Sequence, residues 1–177
     1  MNNSREIALD LIDFAYNSPT AFHAVENVKD RLNKEGFIEL KEENKWSLIR
    51  KGKYYVTKNN SAIVAFKVGN GDVAEHGFKL VGAHTDSPGF RIKPNPDIVV
   101  ENAYVKLNTE VYGGPILNTW FDRPLALAGR VTLEGDNPLY PVSKLVNIKR
   151  PILVIPNLAI HMNREVNDGF KINRQKD

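Results

Sequence analysis

The chain has 177 residues, enough for one domain or two small ones, and its 42% hydrophobic and 25% charged content is that of a soluble globular protein. A net charge of +3, spread out with no basic block interleaved with aromatics, argues against a nucleic-acid partner. With no cysteine there is no disulfide framework and no thiolate zinc site, so any metal must be held by His, Asp and Glu, a donor set that suits zinc, manganese or cobalt.

The N-terminal residues lead into an amphipathic segment and not a signal-peptide core. No apolar run approaches transmembrane length, so a cytoplasmic protein with no membrane partner is the expectation. Ser4 can cap a first helix whose apolar face is Ile7, Ala8, Leu11, Phe14 and Ala15, stopped by Asn17-Ser18-Pro19. Thr20 can cap a second, with Phe22, Val25, Val28 and Leu32 on its buried side and Gly36 as its C-terminal stop. His23 falls near that face and reads as a packed or half-exposed residue.

From Phe37 the pattern turns to strands: Phe37 to Leu40, Trp46 to Ile49, Lys53 to Thr57 and Ser61 to Val68. The last two flank Asn59-Asn60, a hairpin signal. His76, beside Gly77, reads as loop surface. The chain then reaches Lys79-Leu80-Val81-Gly82-Ala83-His84-Thr85-Asp86-Ser87-Pro88. Leu80 to Ala83 has the composition of a buried strand, which Ser87-Pro88-Gly89 ends. Polar residues at the carboxyl end of such a strand are where open α/β sheets place ligands. In extended backbone His84 and Asp86 lie on one face. A His can bind a metal through one ring nitrogen while a carboxylate holds the other. The bland alternative is a surface loop in which Asp86 caps a turn.

Pro94-Asn95-Pro96 reads as a domain boundary. Beyond it lie mainly strands: Ile98 to Val100, Ala103 to Leu107, Glu110 to Tyr112, Leu125 to Leu133 and Pro151 to Ile155. Asp168 to Asp177 is polar and reads as loop. Asp122 could be a bridging carboxylate, but its neighbour Arg123 favours a plain ion pair. Asp97, Asp136 and Asp168 read as turn residues. His161 follows an apolar run and could face a cleft or pack. There is no His-Glu-x-x-His, no Gly-x-Ser-x-Gly elbow and no Gly-rich phosphate loop before a helix. The residues alone therefore make half of an active site.

Several stretches resemble the aspartyl aminopeptidase family. Ser18 to Val25 is similar to its early helix, and Gly52 to Gly69 to its first hairpin. Three more specific signatures are Val81 to Pro88, Thr119 to Val131 and Ile155 to Asn167. Gly89 departs from the Cys that many members carry there. The resemblance implies an α/β fold: an incomplete α/β/α zinc-peptidase domain over residues 1–93, then an inserted, truncated β-rich dimerisation domain over 94–177. It implies a zinc-dependent aminopeptidase that removes N-terminal residues, often acidic, from peptides and assembles into large oligomers. His84 would be a zinc ligand, Asp86 the carboxylate orienting it, and His161 a transition-state group reaching a neighbouring subunit's site. Asp122 would lie outside the metal set. The family's bridging Asp, general-base Glu, remaining carboxylate and last His ligand follow the insertion. The chain is therefore expected to be an inactive N-terminal fragment, with the two zinc ions of the complete enzyme absent or weakly bound. The alternatives are a non-catalytic self-association module and a related two-zinc peptidase or deacylase.

Overall fold

The computed structural model describes residues 2–169 and 172. The chain folds into two compact units, Met1–Asp86 with Ala128–Asn147, and Ser87–Leu127 with Ile148–Asp177.

In the first unit, helix α1 spans Asn2–Tyr16 and α2 spans Ala21–Lys34. Ser4 lies inside α1 and not at its cap. Thr20 does cap α2: its backbone is extended and its Oγ1 accepts from the His23 amide at 3.4 Å. The same hydroxyl lies 2.8 Å from His23 Nδ1, which accounts for that histidine locally. Gly36, at φ +76°, follows the helix in the left-handed conformation that suits glycine. Asn27 Nδ2 ties the interhelix turn by donating to Asn17 O and Ser18 Oγ. Arg31 grips Asp10 with two bonds of 2.7 and 2.8 Å and lies over the Phe14 ring. The hydrogen bond from Arg31 holds the Asp10 carboxyl below the usual aspartate range. Named polar contacts thus dock α1, and its expected apolar face is not buried: Ile7 is 62% exposed.

The core sits under α2. Strands β1 (Ile38–Glu39), β2 (Lys53–Lys58) and β3 (Ala62–Lys67) form a sheet in that order, with β1 parallel and β3 antiparallel to β2. Val25 and Ala24 of α2 are buried, as are Tyr54 and Tyr55 of β2. Consecutive strand residues point to opposite faces, so β2 needs cover on both sides. Tyr55 turns toward α2, where its hydroxyl donates to Asn33 Oδ1 at 3.0 Å. Tyr54 packs on Phe66, and its hydroxyl accepts from the Ile49 amide. Trp46 to Ile49 is therefore not the expected strand but an irregular cover, pinned where Trp46 Nε1 donates to Lys41 O and its ring stacks on Phe66.

Asn59 and Asn60 both have positive φ (51° and 53°), and Ser61 N closes the turn onto Lys58 O at 3.1 Å. This is the left-handed pair that tight hairpins demand and asparagine tolerates. The turn also anchors later segments. Arg130 donates to Asn59 O at 2.9 Å and lies over Phe22 at 4.2 Å. Asp72 caps a one-turn helix, α3 (Val73–His76), so His76 is helical and exposed instead of in a loop.

Leu80 to Ala83 departs most from expectation. The segment is irregular and open, with Leu80 89% and Val81 101% exposed. A strand needs a neighbour to satisfy its backbone groups, and this segment pairs with none of the described strands.

In the second unit β4 (Gly89–Val100) pairs antiparallel with β5 (Tyr104–Tyr112) around Glu101-Asn102, again a positive-φ pair. The boundary expected at Pro94-Asn95-Pro96 lies inside β4. A register shift between Ile92 and Asp97 accommodates the prolines, which cannot donate to a ladder. Strands β6 (Leu125–Leu133) and β7 (Val142–Leu153) form another two-stranded sheet, and each passes from one unit into the other. Asp168 ends a 3-10 turn; most of the expected terminal loop lies outside the described residues.

Candidate active site

His84 and Asp86 follow the open Leu80 to Ala83 segment. Thr85, between them, donates its hydroxyl to Ser61 O at 2.7 Å, so the Asn59-Asn60 hairpin holds the tripeptide in place. His84 Nδ1 lies 2.7 Å from the Asp86 main-chain carbonyl and 3.4 Å from Asp86 Oδ1. A carbonyl oxygen can only accept, so Nδ1 carries the proton. A neutral ring then has a bare lone pair at Nε2, the form that ligates a metal. The shorter contact is to backbone, with the carboxylate second. The His84 side chain is 82% exposed.

Asp122 sits in the second unit and is not paired as expected from its neighbour. Arg123 donates toward Thr119 O at 3.5 Å. The Asp122 carboxylate accepts from Asn157 N at 2.9 Å and Asn157 Nδ2 at 2.8 Å, while its own amide donates to Ile155 O at 2.8 Å. The hydrogen bonds from Asn157, backbone first and side chain second, hold its carboxyl below the usual aspartate range. Its backbone is left-handed, at φ +55°. Nothing local in the sequence signals this pairing, because Asn157 is 35 residues away. Thr85 was likewise silent in the sequence, since a threonine's partner cannot be read from spacing.

His161 is exposed in the turn closed by Met162 N on Ala159 O at 2.8 Å. His84 and Asp86 therefore lie together in the first unit, and His161 belongs to the second. Among the described residues no group of three or more His, Asp or Glu could hold a metal. His84 fits a single ligand position, with its orienting contacts in place; the described residues do not close a site around it.

The mixed α/β fold of small sheets is shared with solved aminopeptidases. Residues 14–177 match the family model described as aminopeptidase I zinc metalloprotease (M18), and the chain belongs to that family. It is 66% identical over 177 residues to the probable M18 family aminopeptidase 2 of Clostridium acetobutylicum, covering 100% of this chain and 41% of the relative. The chain thus spans about two fifths of the length of the curated relatives it matches. A chain in the cryo-EM structure of the Ape4 and Nbr1 complex matches with a TM-score of 0.91 and 39% identity, over 98% of this chain and 33% of that one. The S. cerevisiae mApe1 dodecamer matches with a TM-score of 0.81 and 31% identity, over 90% and 37%. These findings bear out the resemblance carried by the three sequence signatures, and zinc is the metal of the family description.

Proposed function

We propose that the chain is the N-terminal part of a zinc-dependent aminopeptidase that removes N-terminal residues, acidic ones among them, from peptides. The family match over residues 14–177 carries this reading. The Nδ1–H tautomer of His84 supports it, because Nε2 is left as a donor atom. In this reading His84 is a metal ligand, the Asp86 carboxylate steadies it, and His161 serves a neighbouring subunit's site. Two zinc ions in the complete enzyme would supply, when bound, the activation of water and the polarisation of the scissile carbonyl. The remaining ligands and the general base come from sequence that the longer relatives carry. The helices and the β1–β3 sheet are the start of the catalytic α/β/α domain. The strands over 94–177 are most of an inserted dimerisation domain, although the compact units break earlier, at Asp86/Ser87. The dodecameric relative supports self-association. The location is cytoplasmic; no helix among the described residues is long and apolar enough to cross a membrane.

The isolated chain is read as inactive and prone to associate. The open Leu80-Val81 segment favours association, and among the described residues no group of three or more His, Asp or Glu could hold a metal. The test is hydrolysis of peptides with N-terminal Asp, Glu, Leu or Lys by the full-length protein. Chelation should abolish turnover, and zinc should restore it. His84→Ala should lower kcat by at least about 100-fold, the upper range for losing even a group that merely hydrogen-bonds a ligand. Activity indifferent to both treatments would overturn the proposal.

A further inference from the structure

We propose that Asp122 is a positioning residue: it clamps Asn157 and thereby fixes the turn that presents His161. The inference rests on the reading of His161 given above. Three observations carry it.

First, Asp122 grips Asn157 twice, at the main-chain amide and at the side-chain amide. Its own amide bonds Ile155 O, and Phe121 and Ile155 form an isolated parallel bridge. Ile155, just past the end of β7, and the residue after Pro156 are thus fixed to one short segment, Phe121-Asp122. Secondly, Leu158 alone separates Asn157 from the turn that begins at Ala159, where Met162 N and Asn163 N both bond Ala159 O. Movement of Asn157 is therefore passed to His161 through very little chain. Thirdly, Asp122 is itself held. Trp120, one residue before Phe121, meets Phe90 of β4 edge to face at 5.1 Å. The left-handed backbone at Asp122 aims both carboxylate oxygens at Asn157, a conformation that non-glycine residues adopt only when the surroundings demand it. A carboxylate is suited to the role, since it accepts from two donors at once.

The test uses the full-length protein. Asp122→Gly keeps the φ of +55° accessible and deletes both side-chain bonds. Asp122→Asn tolerates the same φ and keeps one acceptor for the Asn157 amide. Asp122→Gly should lower kcat about tenfold or more with KM within about twofold, since a 1 Å misplacement near the chemistry can cost about 100-fold. Asp122→Asn should recover most of the loss. In a His161→Ala background Asp122→Gly should have no further effect on kcat. An undiminished effect there would assign Asp122 a general structural role and overturn the inference. A neutral His161→Ala would instead overturn the catalytic reading of His161. The tether is tested in either case by the His161 Cε1–Hε1 resonance, which should shift or broaden in Asp122→Gly and return in Asp122→Asn. A resonance unchanged by Asp122→Gly would overturn the clamp directly.

Discussion

Removing two methyl groups from Val25 tests where the core lies. Val25 is 0% exposed on α2, above the sheet that carries β2 and β3. At about 0.8 kcal/mol per buried carbon, Val25→Ala loses about 1.6 kcal/mol, and an incompletely closed cavity raises this toward about 2.5 kcal/mol. The matching change on α1, Ile7→Ala, deletes a side chain that is mostly in water. It should cost no more than about 0.5 kcal/mol, helped by alanine's better helix propensity. Urea unfolding followed by far-UV circular dichroism separates the two. With a slope of about 2 kcal/mol per molar, Val25→Ala should lower the midpoint by about 1 M and Ile7→Ala by less than about 0.3 M, slopes unchanged. Equal shifts would mean that α1 buries its apolar face after all. The core would then extend under α1 and not lie under α2 alone.

Other outcomes follow from single contacts. In its neutral form the His84 ring should show Nδ1–H and a bare Nε2 in long-range ¹⁵N–¹H spectra; the opposite tautomer would contradict the bond to the Asp86 carbonyl. Asn60→Val should destabilise the first unit by roughly 1–2 kcal/mol, the cost of forcing an ordinary residue into the left-handed region, whereas Asn60→Gly should not; thermal melts of both variants decide it. Because the folded pKa of Asp122 is depressed, its contribution is present above the ordinary aspartate range and is lost as pH falls through the folded value. The Asn157 amide resonance should accordingly move only below that range, and Asp122→Asn should abolish the movement. A midpoint at or above the range would contradict the paired hydrogen bonds.

Local chemistry was legible in the sequence where it decided the structure. Thr20 and Gly36 bound α2, Asn59-Asn60 turns the first hairpin, and β6 runs from Leu125 to Leu133 as its apolar pattern indicates. Features that depend on distant partners were not legible. Leu80 to Ala83 carries a buried strand's composition, but composition cannot supply the strand beside it. Pro94 and Pro96 look like a break, yet a register shift absorbs them within β4. Adjacency paired Asp122 with Arg123, while the fold pairs it with Asn157. The candidate site divides in the same way. His84-Thr85-Asp86 is visible as a tripeptide. That Asp86 offers His84 its carbonyl more closely than its carboxylate, and that Thr85 is the anchor, depend on backbone path.

Zinc titration of the purified 177-residue chain, wild type beside His84→Ala, with metal content measured by mass spectrometry, tests the central claim most directly. The expected result is weak binding of one ion or fewer per chain, lost in the variant, because the proposed function makes His84 a ligand and no cluster of three or more metal-holding groups stands among the described residues. Tight binding of two ions per chain would contradict this, and would mean that the residues of this chain close the site by themselves.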